Sequence, residues 1–146
     1  MLRLTPGEVP GHLKSSVYTR IRRSPIEGIG VFAIRDIPQG IDPFCEKDLD
    51  LEFIKVPADL IENDPDIPEG VKQYVRDICS NHNGMRNFPT QGFNSVSAMF
   101  LMNHSSDANV GHDANNFSIT LRPIKAGEEL TLNYGTFNDP TELEFG

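Results

Sequence analysis

Tyr134 is a phenol at the end of an alternating run, Glu129-Leu130-Thr131-Leu132-Asn133-Tyr134, and Asn103-His104 is a polar pair following the largely apolar stretch Ala98 to Met102. Each has an ordinary reading: a tyrosine at a strand end packs, and a lone histidine bonds its neighbours. Gly28-Ile29-Gly30 could bring backbone close to a ligand, since glycine has no Cβ, but a single GxG most often marks a hairpin turn. The dinucleotide-binding fingerprint is incomplete, because no third glycine opens a helix. His82, His104 and His112 with Asp113 could be read as metal ligands of a hydrolase, yet they lack helical HxxxH or HxxE spacing. Cys45 and Cys79 form no CxxC and pair with no histidine at ligand spacing, so both read as reduced, buried thiols and no metal site is expected.

The elements that must hold these groups are short. Residues 1–14, with Pro6, Gly7, Pro10 and Gly11, read as an irregular arm. Ser16 to Arg23 alternates and is rich in β-branched and aromatic residues, and after a turn at 24–28 the apolar run Ile29 to Ile34 completes a hairpin. Between about 44 and 91, Pro57, Pro65 and Pro68 cut every element short. Pro68 to Ile78 is the best helix there, with Val71, Tyr74, Val75 and Ile78 expected on a core-facing stripe. Asn81 to Gly84 reads as a turn, and Asn94 to Met102 as a short helix or buried irregular segment. Phe117 to Leu121 and Glu129 to Tyr134 alternate as strands about a turn at Ala126-Gly127.

With 146 residues, 38% hydrophobic and 23% charged, the chain is expected to be one domain able to bury a core unaided. Twelve glycines and eleven prolines favour many turns over long helices. The net charge of −8 argues against sequence-independent nucleic-acid binding, which needs a basic surface, and favours basic partners. Acidic runs at 45–52 and 62–66 read mostly as solvated loops. No window approaches the ~20 apolar residues of a membrane span, and the first residues lack a signal-peptide core, so no membrane association and an intracellular, by default cytoplasmic, location are expected, with a nucleus or host nucleus open.

Three segments in order, Gly28-Ile29-Gly30-Val31-Phe32-Ala33, Met102-Asn103-His104-Ser105-Ser106-Asp107-Ala108-Asn109 and Ala126-Gly127-Glu128-Glu129-Leu130-Thr131-Leu132-Asn133-Tyr134-Gly135, resemble the SET-domain family of protein lysine methyltransferases. The resemblance runs from about Val17 to Phe137 and is weak in the insert. It implies a mainly β, SET-domain (β-clip) fold: several small antiparallel sheets, one or two short helices and a C-terminal pseudoknot, residues 15–146 forming one SET domain.

By the same resemblance, S-adenosylmethionine is the cofactor, held by Gly28, Ile29, Gly30, Asn103, His104, Tyr134 and Phe137, with Phe145 a further aromatic candidate. Tyr134 is the catalytic residue, Leu132 and Phe93 line the substrate channel, and Asn109 braces backbone at the knot. The family often has Cys where Ser106 stands, and many members add a cysteine-rich zinc cluster that completes the channel. Neither is present, so a stand-alone, zinc-less member is implied, its channel closed by other means such as a homodimer. The implied substrate is a lysine on a basic protein: a histone, histone-like or ribosomal protein. The alternative is a catalytically inactive SET-fold module that binds basic peptides, against which the joint presence of Tyr134, Asn103 and His104 argues.

Overall fold

The computed structural model describes residues 2–49, 52–94 and 97–136. The chain divides into two compact units, Met1–Leu51 with Ser97–Asn133, and Glu52–Val96 with Tyr134–Gly146. The second is built largely from the segment read above as an insert.

The first unit opens with a 3-10 turn, Pro6–Glu8, and a helix α1, Val9–Ser15. An irregular arm was expected here. Thr5 and Glu8 form a reciprocal capping box, and the prolines sit in first turns, where a missing N–H costs nothing. Strand β1, Thr19–Arg23, pairs antiparallel with β2, Ile29–Ala33. Gly28, at φ +47°, supplies the left-handed step of the connecting turn. The other strands of this unit are β6 (Asn103–His104), β7 (Val110–His112), β8 (Ser118–Thr120) and β9 (Glu129–Leu132). They form a four-stranded sheet ordered β1-β2-β9-β6 and a separate β7-β8 pair.

Antiparallel pairing prevails, but β6 runs parallel to β9, with Asn103 opposite Thr131 and His104 opposite Leu132. This lays the 103–109 segment along β9, as a knotted arrangement requires; the C-terminal loop expected to close that knot falls partly outside the described residues. The centre of the sheet is dry. Val31 and Leu130 are fully buried and paired, and Ile37, Met102, Val110 and Ile124 are at most 2% exposed. Burying such a side chain is worth roughly 1.5–3 kcal/mol, which explains why β2 reads as an unbroken apolar run.

Polar ties fix the loops of this unit. Glu46, in an acidic run read as solvated, is instead buried; it accepts from the Ser118 amide at 2.9 Å and from the Ser118 hydroxyl. Asp42 accepts from the amides of Phe44 (3.0 Å) and Glu46 (2.7 Å), holding the bend in which Cys45 takes φ +50°. Burial pushes the Glu46 carboxyl above its ordinary value, with the Ser118 bonds opposing.

The second unit has a three-stranded sheet, β3-β5-β4, from Phe53–Pro57, Met85–Pro89 and Asn81–His82. Helices α2 (Ala58–Glu62) and α3 (Glu69–Ile78) lie between β3 and β4 in sequence. The turn at 81–84 is a two-residue hairpin: Asn83 and Gly84 have φ +53° and +73°, and His82 pairs with Met85. Pro57 ends β3 and Pro68 precedes α3, so the prolines mark boundaries.

The face of α3 differs from expectation. Lys72 and Val75 are buried and Cys79 follows in register, whereas Val71 and Tyr74 are 47% and 41% exposed. The reason is polar. Lys72 Nζ donates to the Glu62 carbonyl at 2.9 Å, and Arg76 bridges Glu62 and Glu69 at 2.7 and 2.8 Å. Those bonds turn the helix toward α2, with the Lys72 stem serving as apolar cover.

Candidate functional site

Three elements converge at the hairpin turn. Asn103 of β6 donates from Nδ2 to Ser24 Oγ (3.0 Å), the Glu27 carbonyl (3.2 Å), the Ile29 carbonyl (3.0 Å) and Glu129 Oε2 (2.8 Å). Ser24 Oγ donates to Glu129 Oε1 and Oε2 at 2.7 and 2.9 Å and accepts from the Ile26 amide at 3.0 Å. One amide and one hydroxyl therefore lock the turn onto the carboxylate of β9.

Gly30 has its own reason to be glycine. A Cβ there would lie well inside contact distance of the Glu129 carboxylate and 3.1 Å from Asn103 Nδ2. Gly28 meets nothing within 4 Å and is needed for its backbone angle instead. The two glycines thus serve a turn and a close approach respectively.

The electrostatics are unbalanced. Asn103 spends its donors on four acceptors, and among the described residues its Oδ1 accepts no bond. Glu129 has no cationic partner among the described residues. A half-buried carboxylate that accepts only from neutral donors, beside an amide oxygen that accepts from none, favours a cation that carries N–H groups.

Further along β9, Asn109 donates to the Glu129 carbonyl and accepts from the Thr131 amide, each at 2.9 Å, and is 3% exposed. It holds β9 in place, the bracing role expected of it. The Ser105 amide bonds the Leu132 carbonyl at 2.9 Å, continuing the parallel pairing past His104.

The sequence-derived residues divide as follows. Gly28, Ile29, Gly30, Asn103, His104 and Leu132 belong to the first unit. Gly28, Ile29 and Gly30 gather with Asn103 at the turn, while His104 and Leu132 are paired neighbours. Leu132 is 7% exposed. Tyr134 begins a 3-10 turn, Tyr134–Thr136, half-buried and counted with the second unit. Phe93 belongs to that unit, stacked on Phe88 with 5.0 Å between centroids and edge-on to Tyr74 at 5.0 Å. Phe137 and Phe145 lie outside the described residues. Among the described residues no three His, Cys, Asp or Glu side chains gather to hold a metal, so the histidine set of a hydrolase is not assembled.

Sequence reasoning missed Ser24 and Glu129 as site residues. Glu129 had a signal, a carboxylate at the head of a strand otherwise buried, but its approach to Gly30, diagonal to it across the β2–β9 pair, became visible only in the fold.

The SET domain family profile matches residues 28–135, well over half of the chain. The chain belongs to the SET-domain family. Among solved structures it is similar to a Plasmodium falciparum protein provisionally assigned as a histone methyltransferase, at 17% identity and TM-score 0.45, covering 82% of this chain and 94% of that one. It is also similar to a humanized mutant of the Chaetomium thermophilum Polycomb Repressive Complex 2 bound to an inhibitor, at 22% identity and TM-score 0.48, covering 88% of this chain but 16% of that one. No curated protein sequence matches the chain closely.

Proposed function

We propose that the protein is an S-adenosylmethionine-dependent protein-lysine N-methyltransferase acting on a basic protein. The observation that carries this reading is the turn formed by Gly28, Gly30, Asn103 and Glu129, in which the Glu129 carboxylate accepts only from neutral donors and has no cationic partner among the described residues. When bound, S-adenosylmethionine would supply an electrophilic methyl group on a sulfonium, with the neutral thioether as its leaving group.

The residues of this chain have the remaining tasks. Asn103 Oδ1 and the Glu129 carboxylate hold the ammonium, the Gly28–Gly30 backbone forms one wall, and His104 faces the adenine. Tyr134 orients the lone pair of the incoming amine. Free lysine has a pKa of about 10.4, so a dry channel must favour the neutral amine by desolvation. In-line alignment in such a site supplies most of the rate. Leu132 carries no hydroxyl to retain water beside the amine, so we infer that more than one methyl can be added; a mass spectrum showing only monomethyl product at long times would exclude this.

The test is transfer of radiolabelled methyl from S-adenosylmethionine to histones and a basic-protein fraction at mildly alkaline pH, with Tyr134→Phe and Glu129→Gln in parallel. Tyr134→Phe is expected to lower kcat by roughly 10²-fold or more with cofactor affinity retained. Glu129→Gln is expected to weaken cofactor binding about tenfold by calorimetry. Cofactor binding without transfer to any basic protein would favour a non-catalytic peptide-binding module.

A further inference from the structure

Strand β1 is an edge strand, since the sheet order is β1-β2-β9-β6. Its inward groups are accounted for by register. Ile34 donates to Tyr18 and Ser24 to Gly28, each at 2.9 Å, so Tyr18, Arg20, Arg22 and Ser24 turn their N–H and C=O groups toward β2. Thr19, Ile21 and Arg23 therefore turn theirs outward, and among the described residues none of those groups is bonded. Such an edge is a ready template for another strand.

The charge on this edge is opposite to that of the molecule. Arg20, Arg22 and Arg23 are exposed, three of the chain's 13 Lys and Arg within four residues of a protein whose net charge is −8. None has an acidic partner among the described residues; Arg22 lies over the Phe32 ring at 5.4 Å, which fixes its guanidinium beside the strand. Arg20 and Arg22 lie on one face of the sheet and Arg23 on the other, where Ile21, 45% exposed, and Ile29, 51% exposed on the neighbouring strand, give that side of the edge an apolar contact.

We propose that the β1 edge is a docking site for an acidic segment in extended conformation, which adds as a fifth strand outside β1. The outward groups alternate donor and acceptor, which suits a peptide main chain; a phosphate backbone accepts but does not donate. Pairing between two β1 edges would bring six arginines together, so the charges that prevent self-association select an acidic strand. The edge adjoins the turn proposed to hold the cofactor at Arg23 and Ile29, but its outward main-chain groups belong to Thr19, Ile21 and Arg23 and do not depend on what the protein methylates.

The probe is an end-capped, fluorescein-labelled eight-residue peptide of glutamate and valine, with binding followed by anisotropy. Binding is expected to weaken about tenfold or more between 50 and 200 mM salt, as surface charges are screened. The triple variant Arg20→Glu, Arg22→Glu, Arg23→Glu is expected to lose at least a hundredfold. Ile21→Pro removes an outward N–H without touching the β1–β2 bonds and is expected to lose about tenfold. The same peptide N-methylated along its central residues should bind the wild-type protein at least tenfold more weakly, a result independent of any variant's folding. Equal binding of the methylated and plain peptides would overturn strand addition. Failure of the plain peptide to bind at low salt, or a short single-stranded oligonucleotide of equal charge binding more tightly, would overturn the choice of partner.

Discussion

Replacing Gly30 with alanine tests the assignment of the glycine turn, because the structure gives the cost a specific origin. The added Cβ meets the Glu129 carboxylate, the far end of a flexible side chain, so the overlap alone could be relieved by rotation. Rotation, however, breaks the bonds from Ser24 Oγ at 2.7 and 2.9 Å and from Asn103 Nδ2 at 2.8 Å. Hydrogen bonds to a charged group are worth roughly 1.5–3 kcal/mol each, and at a half-exposed position water recovers part of that, so the net cost is about 2–3 kcal/mol. For a chain of this size that lowers Tm by roughly 6–10 °C.

The distinguishing measurement is a double-mutant cycle by urea unfolding at 25 °C. In a Glu129→Ala background the obstruction is gone, and Gly30→Ala should cost less than about 1 kcal/mol, a coupling of at least about 1.5 kcal/mol. Gly28→Ala is the control: its cost of about 1–2 kcal/mol comes from the left-handed backbone and should be the same in both backgrounds. If Gly30→Ala costs the same with and without Glu129, the carboxylate is not what the glycine accommodates and the reasoning fails.

Other consequences can be checked independently. Asn109→Ala should cost about 2–4 kcal/mol, because it strands the buried Thr131 amide and removes the donor to the Glu129 carbonyl; a loss below 1 kcal/mol in urea would remove Asn109 from its bracing role. Glu46 binds a proton more readily folded than unfolded, so its contribution is present below its ordinary pKa of 4.5 and is lost as pH rises through the folded value. The stability of Glu46→Gln relative to wild type should therefore grow from pH 4 toward neutrality, whereas parallel melting curves would contradict this; a comparison of the two proteins cancels the opposite contribution of His112, whose pKa burial lowers. Burial pushes the Cys79 thiol up to about 11 and raises Cys45 less, and Cys45 is more accessible, so a thiol reagent at pH 7.5 should label Cys45 first by peptide mapping.

The hairpin from Thr19 to Ala33, the long helix α3 and strands β8 and β9 were legible because alternation, turn residues and a proline at the helix start are local signals. The ordered motifs around Gly28, Asn103 and Tyr134 were enough to indicate the family before any coordinates. The helix face was not legible: a count of apolar residues put Val71 and Tyr74 inside, but hydrogen bonds from Lys72 and Arg76 to α2 decided the rotation. Nor was the helical arm, where prolines that would interrupt a helix interior sit in first turns.

What the sequence determined by itself is therefore most of the short elements and the family. Tertiary structure decided which of them act together. Asn103 and Glu129 are 26 residues apart and Ser24 and Glu129 are 105 apart, and no local rule joins them. They meet because β6 runs parallel to β9 while β9 pairs with β2, a long-range arrangement in which the Glu129 carboxylate rests against Gly30, diagonal to it, in space that a Cβ there would fill.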